Sequence, residues 1–155
     1  MHALSCTVAR RGREVSFSNM RFRSKKEMMT VKTYIDKSTV CDGFGCFAGE
    51  PVKAGAIMWK FVEGFDIWVP ASEAEKLTPV QKEYVETYFC REGDHLYTSC
   101  DNGRFHNHGK NPNSIVKDSV MIASRDIEVG EEIVVDYSTF DDDWGEYSAT
   151  TGWAV

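Results

Sequence analysis

Arg104-Phe105-His106-Asn107-His108-Gly109-Lys110-Asn111-Pro112-Asn113 is a stretch through which no long helix or strand can run. Asn107, Asn111 and Asn113 compete with the backbone for hydrogen bonds, and Pro112 removes a donor. The run is therefore a loop or a single short turn, and the chain on either side must be organised around it. A loop with this density of polar groups is where binding chemistry usually sits.

The flanking sequence reads as short strands. Val31 to Asp36 alternates, with Val31, Thr33 and Ile35 on one face and Lys32, Tyr34 and Asp36 on the other. Asp42-Gly43 marks a turn, and Gly43 to Ala48 interleaves small and aromatic residues, as an extended segment with close backbone approach does. Ala56 to Val62 is an apolar strand carrying Trp59 and Phe61. A helical region follows. Ser72 with Glu75 and Thr78 with Gln81 fit capping boxes, and Pro79 suits a first turn. Val80, Tyr84, Val85, Tyr88 and Phe89 recur at helical spacing and predict a buried face. His95 to Ser99 is a short strand. Ser114 to Lys117 and Val120 to Ser124 form a hairpin joined by Asp118-Ser119, and Ile133 to Tyr137 is the last strand. Many short strands with one helical insertion imply a mostly-β domain folded as several small sheets.

Charge divides the chain. Residues 1–30 hold Arg10, Arg11, Arg13, Arg21, Arg23, Lys25 and Lys26 against Glu14 and Glu27, a net of +5. The whole chain is −6, which leaves −11 for residues 31–155. An acidic body repels nucleic acid and attracts a basic protein tail; acidity also serves solubility alone. No apolar stretch approaches a bilayer-spanning length, and no membrane association is expected. The five cysteines (Cys6, Cys41, Cys46, Cys90, Cys100) form no C-x-x-C pair, which fits free thiols in a reducing, intracellular setting, cytoplasmic or nuclear. The Arg- and Ser-rich residues 1–29 lack periodicity and predict disorder.

Three segments carry the functional signal. Gly43-Phe44-Gly45-Cys46-Phe47 places two glycines where a main chain can approach a ligand, and alone it reads equally as a tight bend. Arg104 to Asn113 holds two histidines, which alone suit a metal site or a surface, yet no further ligands lie at metal-site spacing. Gly130-Glu131-Glu132-Ile133-Val134-Val135-Asp136-Tyr137 ends in a tyrosine that would otherwise read as a packed strand end. In this order the three segments resemble the SET domain of protein-lysine methyltransferases: G-x-G-x-[aromatic], then R-F-x-N-H-S-C-x-P-N, then G-E-E-[LI]-x-x-D-Y. The resemblance covers roughly residues 31–140. A SET domain is accordingly drawn at 30–140, between the basic segment 1–29 and an acidic, aromatic segment 141–155 that contains Trp144, Tyr147 and Trp153.

The resemblance implies a β-clip type SET fold with a threaded C-terminal segment, S-adenosylmethionine as methyl donor and a basic, lysine-bearing protein as acceptor, histone-like or ribosomal. It assigns catalysis to Tyr137. It assigns the cofactor to Gly43, Phe44, Gly45, Phe47, Arg104, Asn107, His108 and Tyr137, with Trp144 beside them, and the lysine channel to Phe61, Phe105 and Val135. Asn113 would brace the loop. Some minimal family members form homodimers to complete the site. Two departures stand out. Gly109-Lys110 replaces Ser-Cys, and no cysteine follows Cys100, so no post-SET zinc is expected. Phe61 stands where the family often has the tyrosine of a Tyr-x-Gly element, which leaves a SET-like module that binds a lysine-bearing tail without turnover as the rival reading.

Overall fold

A computed structural model describes residues 28–145. Tyr147, Trp153 and nearly all of the basic segment lie outside the described residues.

Ten short strands, one α-helix and a few 3₁₀ turns make up the described chain. Strand β1 (Thr33–Lys37) pairs antiparallel with β2 (Phe44–Ala48), in register Thr33↔Ala48 to Lys37↔Phe44. The alternation of Val31 to Asp36 appears in burial, with the even positions exposed. The other edge of β2 meets residues 131–133: Ala48 N–H donates to the Glu131 carbonyl (2.9 Å) and Ile133 N–H to that of Cys46 (2.8 Å). Strands β3 (Ile57–Lys60), β8 (Ser114–Lys117) and β9 (Val120–Ala123) form an antiparallel sheet in the order β3-β9-β8. Strands β4 (Ile67–Pro70), β5 (Cys90–Glu92) and β6 (His95–Thr98) form another, in the order β4-β6-β5. The last pair, β7 (Asn107–His108) with β10 (Val134–Val135), is parallel. The core lies between the first two sheets and is built on Cys46, Ala48, Met58, Trp59, Met121, Ile127, Ile133 and Val135. Burial pushes the Cys46 thiol up to about 12, so it behaves as a small apolar group.

Several expectations are corrected. Helix α1 (Pro79–Tyr88) starts as foreseen, with Gln81 Oε1 accepting from Thr78 N–H at 2.9 Å and Pro79 in the first turn, yet none of its residues is buried. Val80 is 76% exposed and Tyr84 50%. The helix has no core beneath its apolar face; Val85 and Tyr88 instead face a cavity. The Ser72–Glu75 box does not form. The Ala71 N–H is already taken by the Asp94 carbonyl (2.8 Å), so a 3₁₀ turn starts there and leaves Ser72 inside it. The final strand shrinks to Val134–Val135, because Ile133 pairs across to β2 and Asp136 caps a turn over Tyr137–Thr139. The run at 104–113 is less irregular than its composition suggests: Asp101 caps a 3₁₀ turn (Asn102–Phe105) and β7 follows directly.

The β8–β9 hairpin turns on Asp118 (φ 50°) and Ser119 (φ 57°), both left-handed, as a two-residue type I′ connection requires. Serine adopts that conformation at a cost that glycine avoids. Ser119→Gly is expected to stabilise the domain by about 0.5–1 kcal/mol, read as a higher denaturant midpoint at unchanged m-value.

Candidate active site

The parallel pair sets the site. Register Val134↔Asn107 and Val135↔His108 brings the Asn/His segment alongside the end of the chain's last strand. Two residues beyond, Tyr137 N–H donates to His108 Nδ1 at 3.2 Å, and the Tyr137 hydroxyl donates to the His106 carbonyl. Tyr137 is thus fixed at its backbone amide and at its hydroxyl by the 106–108 segment. Trp144 is buried against this pair, its ring 4.5 Å from that of His108 and 5.1 Å, edge-on, from that of Tyr137. Phe140 adds an edge contact to Tyr137 at 5.6 Å.

The acidic triplet after the last strand holds Trp144 in place. Asp141 Oδ1 accepts from Arg91 N–H (3.1 Å), Asp142 Oδ2 accepts from Gly93 N–H (2.7 Å), and Asp143 pairs with the Arg91 guanidinium at 3.5 Å. Composition alone presents these aspartates as a solvated tail; they are a clasp onto β5.

Asn107 is held from the other side. Its Nδ2 donates to the Phe44 carbonyl (2.9 Å) and to Glu132 Oε1 (3.0 Å). Glu132, 4% exposed, also accepts from Ser38 Oγ (2.8 Å) and from the Thr39 amide and hydroxyl (2.6 Å each). Burial pushes this carboxyl up, but the hydrogen bonds from Thr39, Asn107 and Ser38 outweigh it and hold the group below the usual glutamate range. Asn113, 1% exposed, bridges the loop to β10: its Oδ1 accepts from Val134 N–H (2.9 Å) and its Nδ2 donates to the Glu132 carbonyl (2.7 Å).

A cavity of about 570 Å³ opens beside this constellation. Gly43, Phe44, Arg104, Phe105, Asn107, His108, Val135, Tyr137 and Trp144 all line it. Gly45, Phe47 and Phe61 do not. A Cβ on Gly45 would fall 2.2 Å from Glu132 Oε1, so that glycine makes room for the buried carboxylate and not for a ligand. Phe47 is buried and stacked at 5.6 Å on Tyr34, its cross-strand partner in β1. Phe61 packs between Trp59 and Trp68, with ring centroids at 6.5 and 5.8 Å. Trp59, Tyr88, Phe89 and Tyr97 supply aromatic wall in its place. Tyr88 and Phe89 follow the helical pattern of a core face, and nothing in the sequence marks Tyr97. Gly109 departs from the family serine for a steric reason: a Cβ there would meet Val134 Cγ1 at 2.5 Å across the parallel pair.

Both histidines are neutral in the folded protein. Burial lowers His108, opposed by Asp136, and an accepting Nδ1 places its proton on Nε2. Burial lowers His106 to about 4, only partly opposed by a hydrogen bond to Gly103. Among the described residues no three His, Cys, Asp or Glu side chains group as metal ligands, and no helix is long and apolar enough to cross a membrane.

Comparison with known proteins fits this geometry. The SET domain family model matches residues 43–138, and the chain belongs to that family. Among solved structures, a Plasmodium falciparum protein described as a candidate histone methyltransferase superposes with a TM-score of 0.52 at 20% identity, covering 70% of this chain and 95% of that one. The Chaetomium thermophilum Polycomb Repressive Complex 2 superposes with a TM-score of 0.57 at 18% identity over 77% of this chain and 17% of that one. The chain therefore spans about one sixth of that larger protein. No curated protein matches in sequence.

Gly45→Ala should displace Glu132 and disrupt its bonds to Ser38, Thr39 and Asn107, costing about 2–4 kcal/mol in chemical denaturation. His106 sets a pH dependence. Its folded pKa of about 4 lies below the ordinary 6.5, so the unfolded chain binds the proton first as pH falls. The associated stability is complete above pH 6.5 and is lost towards pH 4, on the order of 3 kcal/mol in all. A His106→Leu variant should show a shallower fall in unfolding free energy across that window, measured by urea titration at stepped pH.

Proposed function

We propose that this chain is an S-adenosylmethionine-dependent protein-lysine N-methyltransferase acting on a basic protein in an intracellular setting, cytoplasmic or nuclear. The observation that carries the reading is Tyr137, clamped by the His106 carbonyl and the His108 ring in the wall of the cavity that Gly43, Arg104 and Asn107 also line.

The residues present suit the methyl donor. The cavity volume falls in the range of cofactor sites. Phe44 is 64% exposed at its rim, which leaves an aromatic face for a nucleoside base. The nearest atom to a Cβ built on Gly43 is Cys41 Sγ at 3.6 Å, so packing within the protein does not demand that glycine. Gly43, Phe44, Arg104, Asn107, His108 and Trp144 would hold the donor, which supplies a methyl group on a positive sulfonium.

The chain's part in the reaction is alignment and desolvation. Lysine has a pKa of about 10.4 and is almost wholly charged at neutral pH. A wall of Trp59, Phe105, Val135 and Tyr137 disfavours the ammonium and lowers that value. The proton leaves to water, and no strong base is required. With its proton committed to the His106 carbonyl, the Tyr137 oxygen accepts a hydrogen bond from the amine and holds it in line. The rival reading, a module that binds without turnover, draws on the absent tyrosine at position 61. Phe61 sits outside the wall, so its lack of a hydroxyl takes nothing from the cavity.

Tyr137→Phe should reduce methyl transfer by about a hundredfold or more while cofactor affinity stays within a few-fold, since the phenol acts on the reacting atoms alone. Asn107→Ala should instead weaken cofactor binding. Radiolabelled turnover and calorimetry on both variants check the assignment, and wild-type turnover in Tyr137→Phe would remove it.

A further inference from the structure

We infer that the face of the β4-β6-β5 sheet carrying Trp68 is a docking subsite for a second cationic side chain of the methyl acceptor, an arginine or lysine a few residues from the target lysine; the inference rests on the methyltransferase reading. The first observation is an aromatic path from the cavity to the surface. Tyr97 lines the cavity. Trp68, its cross-strand partner in β4, stacks on the Tyr97 ring at 5.6 Å and on that of His95 at 5.2 Å. Phe61 meets the same indole in an edge contact at 5.8 Å. These three neighbours fix Trp68, yet it is 39% exposed. It is a rigid aromatic surface one ring removed from the cavity wall.

Charge is the second observation. Glu92, the cross-strand partner of His95, is exposed, and Asp94 Oδ1 lies 2.6 Å from His95 Nδ1 with 93% of the aspartate side chain open to solvent. Strand alternation puts Trp68, Tyr97, His95 and Glu92 on one face of the sheet and Arg91 on the other. The Arg91 guanidinium is also taken up by Asp143 at 3.5 Å and by the Gly93 carbonyl at 3.0 Å. Arg104, the other guanidinium of the cavity lining, lies 5.1 Å from the centre of the Phe105 ring, which meets Tyr88 of α1. The aromatic face is thus bordered by two carboxylates, and both guanidiniums of the lining are engaged elsewhere.

The class of occupant follows from chemistry. A cation over an indole is attracted by the ring quadrupole, and the same cation pairs with a neighbouring carboxylate. A guanidinium is planar, stacks on aromatic faces and takes a carboxylate through two N–H groups, so arginine gains more here than lysine. Neutral and acidic side chains gain neither attraction. The occupant belongs to the acceptor because the subsite and the cavity share Tyr97. Neighbouring residues of an extended peptide advance about 3.3 Å each, so a side chain two or more positions from a lysine seated in the cavity covers the 5.6 Å step from Tyr97 to Trp68.

The test uses the full chain and synthetic peptides with one lysine in a Gly/Ser/Ala background, a single arginine being walked one position at a time along each side. Affinity is read as KM with labelled S-adenosylmethionine and as Kd by calorimetry on the cofactor-loaded protein, so the subsite is judged without relying on turnover. At one arginine position KM and Kd should fall about tenfold relative to the arginine-free peptide, with kcat nearly constant. Citrulline at that position, which keeps the shape and removes the charge, should lose the gain, and raised salt should reduce it. Trp68→Leu should shrink the difference between the two peptides to less than about twofold, and Glu92→Gln/Asp94→Asn, which leaves the aromatic packing in place, should shrink it severalfold. No arginine position altering Kd, or a preference that survives both variants, overturns the inference, while turnover of the arginine-free peptide leaves the activity standing. No methylation of any peptide, with no cofactor-dependent rise in melting temperature, overturns both.

Discussion

The site depends on a parallel ladder only two residues long. Parallel strands pair less favourably than antiparallel ones and usually occur inside larger sheets. An isolated pair of this length has little stability of its own. Here β7 and β10 are fastened at their ends by groups outside the ladder. Gly109 N–H reaches the Val135 carbonyl at 3.1 Å, Asn113 N–H the Val134 carbonyl at 3.1 Å, and Ser114 Oγ donates to that same carbonyl at 2.8 Å. Asn113 Oδ1 then takes the Val134 amide. Both strands become inner rungs of a larger side-chain network, and the phenol of Tyr137 and the ring of His108 inherit that rigidity.

Glu132 does the same for the Asn107 side of the cavity with a buried charge. A carboxylate left alone at 4% exposure would be costly. Four donors from three residues, Ser38, Thr39 and Asn107, satisfy it. The arrangement ties the 38–41 turn, the start of β7 and the 130–135 segment to one point. Gly45 belongs to the same device, because only a residue without Cβ lets β2 pass the carboxylate.

What could be read in advance follows from which forces are local. The alternation of β1, the type I′ hairpin at Asp118-Ser119 and the Thr78–Gln81 cap depend on neighbours in sequence, and all three are legible there. The three motifs also announce the cavity lining at Gly43, Asn107, His108, Val135 and Tyr137. Tertiary competition hides the rest. The pattern of α1 predicts a buried face, but burial needs a partner element, and the partner here is open cavity. Gly45 and Phe47 share a motif with Gly43 yet meet Glu132 and Tyr34, because they lie inside β2, where Phe47 is the cross-strand partner of Tyr34, whereas Gly43 precedes the strand. Tyr97 lines the wall together with Cys90, its cross-strand partner in β5, a pairing that sequence spacing does not reveal.

The two walls of the cavity differ in how firmly they are built. One is the β7–β10 pair with its buried asparagine and carboxylate. The other is α1 and its C-terminal aromatics, a helix with no buried residue, joined to the opposite wall by the edge contact of Tyr88 with Phe105 at 6.3 Å. Elements with little buried apolar surface open at low free energy. The proposed methyl transfer would need the reacting atoms fixed and dry, and would also need a lysine to enter and leave. Placing Tyr137 on the tied wall and leaving the aromatic side of the entrance on a lightly held helix meets both demands. The clasp at Asp141–Asp143 fastens the Trp144 segment to β5, the strand that follows α1, so the tied construction extends up to the end of the helix.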